Sequence, residues 1–268
     1  LVTDVRLKRS IRDYLFNFKG FNGENGKDIF VRETTSDKGT GIKDGKARAK
    51  DFNSKEEEVL TKAIDIRLFG GVIPLDKDSI TFTGPVQFNM GRSLHKVCLN
   101  HIKGTGAFAS SEGKNQNTFR EEYFVNYSMI AFNGVVNENA AKHTKLTNED
   151  IVLLDESIWN GTKNLISRSK MGHMPRLLMR VVYKEGENFF IGGLQKRVKI
   201  SSLLPDEKLR SIGDYTLDVT ELAELLLKNC TKIEKVMILV DDGLKFIRND
   251  KVFKFEDLQG VRFEKINF

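Results

Sequence analysis

The spacing of apolar residues confines this chain to a mixed α+β fold. In residues 3–18, Val5, Ile11, Leu15 and Phe18, with Leu7 and Tyr14, recur near helical spacing, and Thr3 stands where an N-cap belongs. Ser54 ahead of EEEVLTKAID predicts a second, short helix with Glu57 in the capping-box position. Thr147 opens a third, with Ile151, Leu154 and Ile158 on one face and Gly161 just past its end; Asp218, with Glu221 three residues on, opens a fourth that runs to Lys228. Between the helices the apolar residues come instead in short β-branched or aromatic runs. Residues 67–89 read as strands broken by Gly70, Gly71, Pro74, Gly84 and Pro85, and residues 122–133 as another strand. Residues 177–183 and 188–200 flank EGEN as a hairpin, residues 233–240 read as a buried strand, and short strands surround the turn pair Asn249-Asp250. Helices mixed irregularly with hairpins point to α+β rather than a regular βαβ order, and no repeat of fixed period is present.

Residues 20–54 break this pattern with Gly, Asn, Asp and Lys, as a long loop or small peripheral subdomain would. With 40% apolar residues, the chain can offset the entropy of ordering, which excludes a disordered tail, and 268 residues suit two domains or one domain with large insertions. The aliphatic run at residues 236–240 is far below the ~20 residues a membrane-spanning helix needs. No signal core or transit segment follows Leu1, and a start without Met, directly on a helix, is read as the loss of some N-terminal sequence. Cys98 and Cys230 provide no disulfide framework and fit a reducing cytoplasm.

The formal charge of +6 is too small to identify a partner, but its distribution is uneven. Residues 161–200 hold nine basic residues against two acidic ones, and residues 79–111 hold no acidic residue while carrying Arg92, Lys96 and Lys103. Arg6, Lys8, Arg9 and Arg12 crowd the first helix, where Lys8 and Arg12, four apart, share a face. Three basic segments brought to one side would form an electrostatic footprint for a phosphate backbone; left apart, each is an ordinary solvated face. Phe88, Phe108 and Phe119 lie in or beside the acid-free stretch, where exposed rings could stack on bases, although core burial is the commoner use of Phe.

Catalytic signatures are missing. His95, Cys98 and His101 fall three apart, but without a fourth ligand nearby they read as no metal site. Gly104-Thr105-Gly106 has the spacing of neither nucleotide-binding fingerprint and reads as a turn within a protruding hairpin. No nucleophile elbow occurs, and no carboxylate pair stands out as acid and base.

Four segments, LVTDVRLKRSIRDYL at 1–15, GPVQFNMGRSLHKV at 84–97, SSEGKNQNTFREEYFV at 110–125 and the long stretch at 137–185 with its Asn-Gly-Thr-Lys and Arg-Ser-Lys-Met-Gly motifs, together resemble one family. It is the CRISPR-associated backbone subunit of type I-B Cascade, a member of the repeat-associated RNA-binding superfamily. The likeness runs in order through most of the chain and is weakest in 20–60 and after 200. The family's first strand and the Asn-Pro-Asn-Gly-Asp-like loop before its first helix are not in this sequence.

That resemblance implies an RNA-recognition-motif-like (ferredoxin-like) palm from residues 1–19 and 66–268, a finger insertion at 20–65 and a β-hairpin thumb at 104–120. It also implies a non-catalytic, cytoplasmic protein without a cofactor, whose copies polymerise head to tail along a crRNA guide and present its bases to target DNA. The other partners implied are further Cascade subunits and a recruited helicase-nuclease. The residues carried over as RNA-binding are Thr3, Lys8, Arg9 and Arg12 on the first helix, Gln87, Asn89 and Arg92 in the palm loop, Phe108 and Lys114 in the thumb, and Arg168 and Lys170 in the Ser-Arg-Ser-Lys segment. A subunit that holds any guide must bind phosphate and ribose rather than base edges, which suits Lys and Arg on rigid elements. Two other readings are a metal-dependent ribonuclease of the same superfamily and a monomeric RNA-recognition module.

Overall fold

The structure, a computed structural model, describes every residue except 37, 38, 110–116 and 166, and describes the backbone alone over 105–109 and 117–120. The helices are α1 (Asp4–Phe18), α2 (Gly45–Lys50), α3 (Glu56–Lys62), α4 (Ile64–Phe69), α5 (Glu138–Thr144), α6 (Asn148–Lys163) and α7 (Thr220–Lys228). The strands up to α5 are β1 (Gly70–Pro74), β2 (Ser79–Thr83), β3 (Val86–Phe88), β4 (Arg92–Ser93), β5 (Leu99–Ala109), β6 (Asn117–Val125), β7 (Ile130–Ala131) and β8 (Gly134–Val136). After α6 come β9 (Leu177–Tyr183), β10 (Lys199–Ser201), β11 (Thr216–Asp218), β12 (Ile233–Val240), β13 (Phe246–Arg248), β14 (Lys251–Phe253) and β15 (Phe263–Lys265). This is the expected α+β mixture, with the strands divided among small sheets. Two compact units result: residues 2–91, 132–178 and 266–268 form the first, and residues 92–131 and 179–265, with Leu1, the second.

The first unit is built on α1 and α6. Thr3 caps α1 by accepting from the Arg6 N–H, and Thr147 and Asp150 exchange both bonds of a capping box at the start of α6. The apolar stripe of α1, Leu7, Ile11 and Leu15, packs in one cluster with Ile64, Leu68, Phe69, Val86 and Leu154. Gly161, expected beyond the helix, lies inside α6. A Cβ there would stand 2.8 Å from the Ser10 carbonyl oxygen and 3.2 Å from Tyr14 Cβ, so the glycine is required by the close approach of α1 and not by a helix stop.

Two further expectations for this unit are corrected. Ser54 does not cap α3: Asn53 and Ser54 both take left-handed backbone (φ 53° and 51°), and Lys55 occupies the cap position without a side-chain bond. Residues 67–69 belong to α4 rather than to a strand, because Ile64, Leu68 and Phe69 meet the core at helical spacing. The strand begins at Gly70, where φ is +66° and a Cβ would lie 2.3 Å from the Gly84 nitrogen. Helix α5, capped by Asn137, was not foreseen. Of the two readings of residues 20–54, a long loop or a small subdomain, the second fits, since Phe30, Ala49 and Phe52, with Val59, Leu60 and Ala63, form a core with Ile66, Ile73 and Phe82 of α4 and the β1–β2 hairpin.

In the second unit β5 and β6 pair antiparallel from Leu99↔Val125 inward, so the ladder extends beyond 104–120 and takes residues 104–106 into a strand rather than a turn. The strand expected over 122–133 stops at Val125 and resumes only as β7. A four-stranded sheet has the order β10-β11-β13-β14, and Asn249 and Asp250 (φ 50° and 59°) close its β13–β14 hairpin as the turn pair predicts. A three-stranded sheet has the order β15-β12-β9. Strand β9 therefore joins β12 instead of pairing with 188–200, a stretch that turns back where Ile191 N–H donates to the Tyr183 hydroxyl. Asp218 ends β11 and accepts from the Thr220 N–H just ahead of α7, next to the cap position that Val219 fills.

Candidate nucleic-acid interface

One face of α1 gathers cations over an aromatic plate. Lys8 Nζ stands 5.6 Å and the Arg12 guanidinium carbon 5.2 Å from the centre of the Phe69 ring, which is buried at the end of α4. Two cations four residues apart repel; here each has its own carboxylate, Asp4 at 3.1 Å from Lys8 and Asp65 at 2.9 Å from Arg12 Nε. Asp65 is fully buried and also accepts from the Phe30 and Val31 backbone N–H groups at 2.7 and 3.1 Å. Both cations are largely covered, with 15% of the Lys8 and 13% of the Arg12 side chain exposed. The face is held by the fold before any ligand arrives. Phe69 and Asp65 were not among the sequence-derived candidates.

The start of α1 is also a meeting point. Val2 exchanges both backbone hydrogen bonds with Gly91, at 2.8 Å each, which sets residues 89–91 beside Thr3. Ser10 faces Gly161, while the Tyr14 hydroxyl donates to Glu156 at 2.8 Å, so α1 and α6 run antiparallel. The chain leaving α6 at Lys163 thus emerges at the end where α1 begins. Gln87 and Asn89, two apart along an extended segment, are both exposed, and Gln87 donates to the Gly84 carbonyl. Beyond α6, residues 167–173 fold into tight turns in which the Lys170 and Met171 N–H groups both donate to the Ser167 carbonyl. Arg168 is exposed there and Lys170 half-buried. Burial first, and Lys170 second, push the His173 imidazole below its ordinary pKa and favour its neutral form.

The remaining candidates are placed differently. Arg9 is exposed and paired with Asp13 at 2.7 Å. Arg92 is exposed on β4 of the second unit. The side chain of Phe108 and all of Lys114 lie outside the described residues, as does the Phe119 side chain. Phe88 packs against the α1 core beside Phe69 and is not a free stacking ring. His95 is buried with both ring nitrogens engaged, Nδ1 with the Lys96 carbonyl at 2.8 Å and Nε2 with the Met129 N–H at 3.2 Å. Among the described residues no group of three His, Cys, Asp or Glu side chains is placed to hold a metal ion, and no helix is long and apolar enough to cross a membrane.

A mixed α+β fold with a pre-set cationic face on its first helix defines a candidate phosphate-binding protein. Comparison with known proteins gives the family: a family profile described as CRISPR-associated protein Cas7 matches residues 1–220. The CRISPR-associated protein Cas7 of Haloferax volcanii is 32% identical over 286 residues, covering 96% of this chain and 82% of the relative. The chain belongs to the Cas7 family. Among solved structures, a chain of a pre-nicking CRISPR RNA-guided surveillance complex matches 98% of this chain and 86% of its own length with a TM-score of 0.53 at 11% identity. A chain of another CRISPR RNA-guided surveillance complex matches with a TM-score of 0.51 at 12% identity, over 98% of this chain and 80% of its own. At such identities the likeness is one of fold.

Proposed function

We propose that this chain is a non-catalytic backbone subunit of a type I Cascade effector, of subtype I-B, that binds crRNA and acts in the cytoplasm. Membership of the Cas7 family across residues 1–220 carries the reading. The cationic face of α1 supports it chemically, because a protein that holds guides of any sequence needs fixed phosphate contacts and no base code. In this reading Thr3, Lys8, Arg9 and Arg12, with Gln87, Asn89 and Arg92, and with Arg168 and Lys170, line the guide path, and Phe108 and Lys114 belong to a thumb at 104–120. Residues 1–19 and 66–268 form the RRM-like palm and 20–65 the finger. Copies stack head to tail on the guide, leaving bases free for target DNA, beside other Cascade subunits and a recruited helicase-nuclease.

Sizing the protein on RNAs of increasing length is the direct test. Mass should rise stepwise with RNA length, while affinity varies little with sequence and falls steeply with salt. A complex of constant mass returns the monomeric module. RNA cleavage on adding a divalent metal returns the ribonuclease.

A further inference from the structure

We infer that Asp65 is a positioning residue for guide binding: it fixes the Arg12 guanidinium so that the edge bearing both terminal nitrogens faces a phosphate. The inference rests on the guide-binding reading of α1 and adds to it a residue 53 positions away from Arg12. Arg12 bonds Asp65 through Nε, and the Phe69 ring lies against its guanidinium. Nη1 and Nη2 make no hydrogen bond among the described residues and are not sealed from solvent. Those two nitrogens form the fork that takes a phosphate bidentately. Asp65 is itself immobile, because two backbone N–H groups from residues 30 and 31 hold its carboxylate and it is wholly buried. The folding of residues 28–31 against α4 is thereby tied to the aim of a side chain on α1.

The sign of one substitution separates positioning from mere proximity. Asp65→Asn removes a negative charge near the proposed RNA path, so a bystander carboxylate predicts tighter binding. A positioning residue predicts weaker binding in spite of the added net positive charge. The measurement is the affinity of the full chain for a labelled single-stranded RNA of scrambled sequence through a salt titration, with active fraction fixed by stoichiometric titration. Asp65→Asn should bind about ten-fold more weakly, the scale of a lost charge-assisted pair. In an Arg12→Ala background the same change should no longer weaken binding, since no guanidinium remains to be aimed. Arg12→Lys keeps the charge and the pairing with Asp65 but lacks the second edge; it should lower the salt slope by about one. Arg12→Lys also decides the matter if Asp65→Asn does not fold. Tighter binding by Asp65→Asn, equal weakening in the Arg12→Ala background, or an Arg12→Lys variant that binds as the parent does would each overturn the inference while leaving guide binding intact. A parent chain that shows no salt-dependent RNA binding would remove the guide-binding reading itself.

Discussion

Helix α1 and the β5–β6 ribbon both set basic residues beside aromatic rings, but they hold them in opposite ways. On α1 Lys8 and Arg12 are mostly covered, each is paired with a carboxylate, and their shared ring belongs to the core. On the ribbon His101 stacks on Tyr123 at 4.5 Å with the rings 13° from parallel, while Lys103, 71% exposed, pairs with Glu121 across the ladder. Leu99, Ile102 and Tyr123 are all at least half exposed, so neither face of the ribbon near its base is fully covered by its own unit. If α1 grips RNA as proposed, its residues carry stability and binding geometry together, whereas ribbon residues can change binding without changing stability. The difference is one of coupling, and it can be broken by experiment.

Phe69→Ala should have the largest effect. It empties a core position under both cations and should cost about 3–5 kcal/mol in unfolding free energy, lowering RNA affinity with it. Chemical denaturation with retained stability would show that the plate is not part of the core. Gly161→Leu comes next. With the Ser10 carbonyl 2.8 Å from the first added carbon, α1 and α6 must separate, at about 1–3 kcal/mol. A melting curve unchanged from the parent would refute the close approach.

Acid should act more locally. Burial works against the charged form of Asp51, but hydrogen bonds from Lys43 and Arg48 outweigh it and hold its carboxyl below the ordinary aspartate range. A depressed carboxylate contributes its stability fully above the unfolded pKa of ~3.9 and loses it as pH falls through the lower folded value. Amide exchange around residues 43–51 should therefore rise below about pH 4. Exchange there that rises instead between pH 7 and about pH 5, well above the unfolded aspartate pKa, would assign the loosening to another group.

What could be read from the sequence follows the range of the interactions. Helices α1 and α6 were legible because caps and apolar stripes act within a few residues, and the Asn249-Asp250 turn because two adjacent residues take φ > 0. Ser54 misled because a serine before three glutamates fits a cap, and only the left-handed backbone of the folded chain shows that it turns the chain instead. Residues 188–200 looked like the partner of 177–183 because nearness in sequence favours a hairpin, while β12, some fifty residues on, won the pairing. The same limit governs the candidate site. The i,i+4 spacing showed that Lys8 and Arg12 share a face; no local signal links them to Asp65 or Phe69, which reach them through tertiary packing alone.

The smallest effect on stability is expected at Tyr123. Tyr123 is 62% exposed, and its stacking partner among the described residues, His101, is itself partly in solvent. Replacing Tyr123 with Ala should cost about 0.5–1 kcal/mol, the worth of one aromatic pair, and Lys103→Ala less than about 0.5 kcal/mol because exposed ion pairs contribute little. A loss at Tyr123 as large as that at Phe69 would mean that the ribbon face is covered and that the contrast with α1 is false. If stability holds, the same variant isolates binding: weaker RNA retention with an unchanged melting temperature assigns the ribbon to the guide by its own chemistry, which no substitution beneath Lys8 and Arg12 can do, since there the fold fails along with the grip.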